Sequence, residues 1–166
     1  MTAPSTTAAR FTKLDPGLLA RLLDEGYGPG AWHGADLKAA LADIAPALAY
    51  WRPAPGRHNI AEIALHHGYS ARAAHERLTG TPAEPFVLTG DDWFEADGPA
   101  DLPWRDVLST VDRLQARLSA AVAEIGRGAL TSPLTAEEQF GLVLGVTCHA
   151  IYHAGQIQLI KKLYDR

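Results

Sequence analysis

Apolar side chains recur along most of this chain three and four residues apart, and strand-like alternation is nearly absent. Four long segments carry this helical spacing, and residues typical of helix ends bound each of them. The first begins at Asp15, which suits a helix N-cap, and is expected to end at Gly26 and Gly28. The pattern therefore predicts an all-helical protein.

The second long helix is predicted over about residues 58–78, with Asn59 as its N-cap and Gly80 as its stop. Residues 36–50, which precede it, also have a helical composition. Pro46 lies inside that segment, and its missing N–H is expected to end or kink the helix there.

The third helix is predicted over about residues 104–125 and the fourth over about residues 135–163. The fourth begins with Thr135 and Glu138, three residues apart, which is the spacing of a capping box. Four long helices around a core of this size predict a four-helix bundle with long connecting loops.

The connections and ends of the chain complete this picture. Residues 80–103 form a long loop, and the aromatic pair Trp93-Phe94 is expected to hold it against the bundle. Residues 1–12 are rich in Thr and Ala and are predicted to be a flexible N-terminal tail. Residues 13–166 are predicted to form a single domain.

The composition excludes several classes of protein. Of the 166 residues, 47% are hydrophobic and 20% are charged, as in ordinary globular proteins. The net charge of -4 and the scattered Lys and Arg residues give no basis for nucleic-acid binding. No apolar run approaches the roughly 18 residues of a membrane span. The single cysteine, Cys148, is expected to be a buried, inert thiol, and we expect a cytoplasmic protein.

The fourth helix carries two histidines, His149 and His153, which are four residues apart and therefore share one face. They lie in an apolar row that is expected to face the core. An unpaired buried polar group costs roughly 1–3 kcal/mol, so each imidazole needs a partner. One shared divalent metal ion would satisfy both.

A third ligand is expected from the second helix, where His66 and His67 are adjacent. Periodicity leaves the choice open, although the row that contains His67 is the more apolar one. Glu62 lies one turn before His66 and either orients a ligand imidazole or is a solvated carboxylate. Tyr152 and Gln156 are candidates for the rim and the lining of the same pocket.

Two stretches of the chain resemble the signature segments of the DinB/YfiT-like superfamily of metal-binding four-helix bundles. They are RHNIAEIALH at residues 57–66 and HAIYHAGQI at residues 149–157, the second being the more specific. The resemblance implies that His66, rather than His67, joins His149 and His153 around one divalent metal.

Members of that superfamily with known activity are thiol-dependent transferases or isomerases that use mycothiol or bacillithiol. The resemblance therefore suggests a metal-dependent thiol transferase or isomerase acting on a small molecule, in the form of a homodimer. All-nitrogen ligation is compatible with zinc, nickel, copper or iron, among which zinc or nickel is expected, and three imidazoles leave a coordination position open. The alternatives are a non-catalytic, stress- or damage-induced metal-binding bundle, a metal-activated hydrolase, and a structural domain without metal.

Overall fold

Six helices make up the regular structure of residues 15–165, which are the residues that the computed structural model describes, apart from the side chain of Pro16. They are α1 (Pro16–Tyr27), α2 (Leu37–Leu41), α3 (Pro46–Ala49), α4 (Ile60–Thr79), α5 (Trp104–Gly126) and α6 (Ala136–Tyr164). This range contains no β-strand, so the all-helical prediction is confirmed. The tail predicted at residues 1–12 lies outside it. None of the helices described has both the length and the apolar character needed to cross a membrane.

The long helices begin and end at the residues that their caps predict. The side chain of Asn59 accepts a hydrogen bond from the N–H of Glu62 and caps α4. At the other end of α4, Gly80 adopts a φ of 70°, a left-handed conformation that favours glycine. Thr135 and Glu138 form the predicted capping box of α6.

Two positions before α4 show how local chemistry and packing compete. The predicted interruption at Pro46 is present, because α2 ends before it and α3 begins with it. Gly26, in contrast, does not end α1, which continues to Tyr27. A Cβ atom at residue 26 would lie 3.1 Å from the side chain of Ala150 and 3.2 Å from the backbone of Thr147. The glycine therefore serves the close approach of α1 to α6.

The four long helices form the predicted bundle around a core with two ends. One end combines the first halves of α4 and α5 with the second half of α6. The other combines α1 with the second halves of α4 and α5 and the first half of α6. Helices α4 and α5 therefore run parallel to each other, and α6 runs antiparallel to both. Helix α4 packs against α5 and α6, and α1 packs against α5 and α6.

Because α4 and α5 are parallel, the chain must return along the bundle between them, and residues 80–103 make this crossover. Phe94 is buried within it, and its ring packs against Phe86 and Tyr69. Trp93 lies against the bundle beside the first half of α4. The aromatic pair thus anchors the loop, as its composition predicts.

Gly26→Val is expected to destabilise the fold by about 2 kcal/mol, because its branched side chain would meet α6 where the backbones are close. Gly145→Ala is the matched control, since a Cβ at this exposed position of α6 meets nothing within 4 Å. It should stabilise the helix by about 0.5–1 kcal/mol. Urea denaturation of both variants measures the difference. Stabilisation by Gly26→Val would contradict the proposed close approach.

Candidate metal centre

Three imidazoles converge at the interface between α4 and α6, where His66 faces His149 and His153. The Nε2 atom of His149 lies 2.9 Å from Nε2 of His66 and 3.0 Å from Nε2 of His153. One ligand nitrogen from each ring lies within 4.8 Å of the other two. His66 and His153 are buried, and His149 is half-buried. These three histidines, called the triad below, could hold a metal ion.

The hydrogen-bond partners of the triad indicate where its protons lie. Nδ1 of His66 is 2.9 Å from the carbonyl oxygen of Asp92, and Nδ1 of His153 is 2.6 Å from Oε1 of Gln156. Both partners are acceptors, so each Nδ1 carries a proton and each neutral ring presents a lone pair at Nε2. Nε2 of His149 has at most one proton to donate to these two lone pairs. A cation between the rings satisfies all three nitrogens.

The surroundings of His149 and His153 favour the neutral forms of these two imidazoles. Burial, followed by the neighbouring rings of His153 and His66, lowers the pKa of His149 to about 4. Burial also lowers the pKa of His153, although its bond to Gln156 acts in the opposite direction. Metal ions bind imidazole only in its neutral form, so these two ligands are available near neutral pH.

The crossover loop orients His66 through two consecutive residues. Asp92 contacts Nδ1 of His66 through its backbone carbonyl oxygen and also through its carboxylate, whose Oδ1 lies 3.1 Å from the same nitrogen. Asp92 has a φ of 66°, which few residues other than glycine adopt. The indole of Trp93 then stacks on the His66 ring, with centroids 3.9 Å apart and planes 6° apart. The loop therefore holds both the Nδ1 proton and the plane of this ring.

Glu62 orients an imidazole, but not one of the triad. Its buried carboxylate accepts bonds from both terminal nitrogens of Arg52, from Nδ1 of His58 at 2.9 Å and from the N–H of Ala96. Burial alone would raise the pKa of Glu62, but these bonds outweigh it and lower the pKa below its usual value. Glu62 is therefore neither a solvated carboxylate nor bonded to a triad ring: it is buried, and Arg52 supplies the cationic partner that a buried carboxylate requires.

His58 and Trp93 connect this network to the triad, a role that the sequence pattern did not indicate for His58. The His58 ring stacks on Trp93 with centroids 3.8 Å apart, on an indole that also stacks on His66. Glu62 and Trp93 together hold an otherwise exposed imidazole in one orientation at the edge of the site.

His67 is completely buried but lies apart from the triad nitrogens. Its ring stacks on Tyr27 of α1, with centroids 5.5 Å apart, and neither of its nitrogens has a hydrogen-bond partner among the described residues. Burial and the nearby His149 ring lower its pKa to about 3. Residues 59–68 are all buried, so His66 and His67 both point inward, one towards α6 and the other towards α1.

The remaining candidates lie on the solvent side of the triad. The amide of Gln156 accepts a hydrogen bond from His153 and donates one to the hydroxyl of Tyr152. Tyr152 is 64% exposed and lies at the rim of the site. Both residues line a groove of about 420 Å³ that also reaches His153. Cys148 is exposed rather than buried, so the expectation of a buried thiol is wrong.

A sequence model of the DinB superfamily matches residues 31–157, more than half of the chain. The chain belongs to the DinB superfamily. The match contains all three residues of the triad, and it confirms the resemblance seen in the two signature segments. No curated protein and no solved structure matches the chain significantly. The DinB assignment therefore rests on the family model and agrees with the all-helical bundle.

His67→Leu is expected to stabilise the metal-free protein and to reduce its loss of stability in acid. The pKa of His67 is about 3 in the fold, whereas in the unfolded chain it is roughly 6.5. The stability that depends on neutral His67 is therefore complete above the unfolded value and is lost as the pH falls towards 3.

The slope of this loss is at most about 1.4 kcal/mol per pH unit for one histidine. Urea denaturation of both proteins at about pH 7 and about pH 5 should show the variant losing about 2 kcal/mol less than the wild type. Identical losses in the two proteins would contradict the burial of a neutral His67.

Proposed function

We propose that this protein is a metal-dependent enzyme in which His66, His149 and His153 hold one divalent ion. Its reaction would be the transfer or isomerisation of a small molecule with the help of a low-molecular-weight thiol. One observation carries the proposal: two Nε2 lone pairs, oriented by Asp92 and Gln156, face a third ring nitrogen at 2.9 and 3.0 Å.

Three neutral nitrogen ligands support zinc or nickel as the ion, because both metals accept imidazole ligation. Three protein ligands leave at least one coordination position of the ion open for an exogenous ligand, as in catalytic rather than structural zinc sites. When bound, the ion would lower the pKa of a thiol or a water molecule at that position.

The surrounding residues supply orientation and access. Asp92 and Gln156 hold the Nδ1 protons of two triad rings, which keeps the opposite nitrogens free for the metal. Trp93 covers one face of His66 and limits the access of water to it. Tyr152 lies at the exposed rim, where its hydroxyl can exchange a proton with a bound molecule.

The proposal predicts one divalent ion per chain in protein purified without a histidine tag, as measured by elemental analysis. His153→Ala should lose the ion, whereas His67→Leu should keep it because His67 lies outside the triad. The metal-loaded protein should also turn over electrophilic small molecules with mycothiol, bacillithiol or cysteine, and His153→Ala should abolish this activity.

The possible results separate the parts of the proposal. A metal-loaded protein without any thiol-dependent turnover would contradict the enzymatic role and support a non-catalytic metal-binding bundle. Turnover that needs the metal but no thiol would indicate a hydrolase instead. Protein that binds no stoichiometric metal would contradict the metal centre itself.

A further inference from the structure

The groove beside His153 has one apolar wall and one polar side. It lies between the turn that precedes α4 and the second half of α6, and its volume is about 420 Å³. The apolar wall comprises Pro53, Ile63, Trp93, Leu159, Ile160 and Leu163. The polar side consists of Arg57, His58, Tyr152 and Gln156. This mixture is typical of small-molecule sites, in which apolar contacts supply area and a few polar groups fix orientation.

Arg57 is the one formally charged side chain among the described residues that line this groove. Its guanidinium makes no hydrogen bond or ion pair with any residue in the described range. The neighbouring Arg52 differs, because Glu62 and Asp97 both pair with it. Arg57 also lines the adjoining pocket that contains Glu62, Glu95 and Asp97, but it forms an ion pair with none of them. The groove therefore presents one cation that is not engaged in an ion pair within the described residues.

The backbone at Arg57 is held in place although its side chain is free. Its N–H donates to the carbonyl of Ala54 at 3.1 Å, and its own carbonyl accepts from Arg52 at 2.8 Å. Gly56 closes the turn with a φ of 70°, which a residue with a side chain rarely adopts. Arg52 is itself held by the buried Glu62. The backbone from which the side chain of Arg57 extends is therefore fixed at the rim of the groove.

The other polar groups of the groove also favour an acceptor-rich ligand. The hydroxyl oxygen of Tyr152 accepts a hydrogen bond from Gln156, so its own proton remains available to a molecule in the groove. Arg57 lines the same groove, where its guanidinium can donate to a carboxylate, and charge-assisted bonds of this kind are the stronger ones.

We propose that this groove binds a small organic carboxylate, with its anionic end towards Arg57 and an apolar body against Leu159 and Leu163. The identification of this ligand as the substrate rests on the proposed function, since the groove also reaches His153 of the triad. Its binding, in contrast, uses residues that need no metal.

The test uses the full chain with metal removed by a chelator, so that an anion cannot bind through a metal ion. The probes are hydrocinnamate and its neutral amide, and isothermal calorimetry or ligand-observed NMR measures their dissociation constants. The wild type should bind the acid roughly tenfold more tightly than the amide. Arg57→Gln should remove that difference and leave the affinity for the amide unchanged.

Two further variants locate the site. Arg127→Gln removes the same charge after the last residue of α5, at the opposite end of the bundle, and should change neither affinity. Leu159→Asp should weaken both probes by about tenfold or more, because it places a carboxylate on the apolar wall of the groove.

Three results would overturn the proposal: equal binding of acid and amide, an unchanged preference in Arg57→Gln, and no binding of either probe at millimolar concentration. Failure of the proposed function would look different. In that case the protein would bind no stoichiometric metal, or it would show no thiol-dependent turnover. The metal-free protein would still bind the acid more tightly than the amide.

Discussion

The main constraint on this structure is the meeting of three ring nitrogens at the interface of α4 and α6. In neutral rings at most one of the two contacts made by Nε2 of His149 can be a hydrogen bond, because that atom carries at most one proton. A buried nitrogen without a partner costs roughly 1–3 kcal/mol. The bundle tolerates this arrangement because a cation can bind there, and Asp92 and Gln156 orient two of the three rings.

The parallel arrangement of α4 and α5 explains why the site depends on a loop. The chain must cross back between them, and residues 80–103 pass beside the first half of α4 on the way. This brings Asp92 and Trp93 to His66, one bonding its Nδ1 and the other stacking on its ring. On the far face of Trp93, Glu62 holds His58. Topology therefore determines which residues surround the triad.

Much of the fold could be predicted from the sequence, because local signals determine helix ends. Asn59, Gly80, Pro46 and the capping box at Thr135 each act within a few residues, so their effect is visible in one sequence. The pairing of His149 and His153 follows from the helical repeat in the same way. Gly26 differs, since its role depends on a helix more than a hundred residues away.

The details that could not be predicted depend on tertiary contacts. Periodicity cannot separate His66 from His67, because α4 is buried on nearly all sides over residues 59–68. Asp92 bonds His66 through its backbone carbonyl as well as its carboxylate, and it lies in a loop whose position no helical period predicts. Helix α6 is apolar on several faces, so its pattern does not show that Cys148 points outward.

X-ray absorption spectroscopy at the zinc edge, on protein loaded with one equivalent of zinc, tests the central claim most directly. The account predicts three imidazole nitrogens at about 2.0 Å together with at least one ligand from solution. A shell made only of oxygen, or one with fewer than three imidazoles, would contradict it. The same spectrum for His67→Leu should be unchanged, because that ring lies outside the triad.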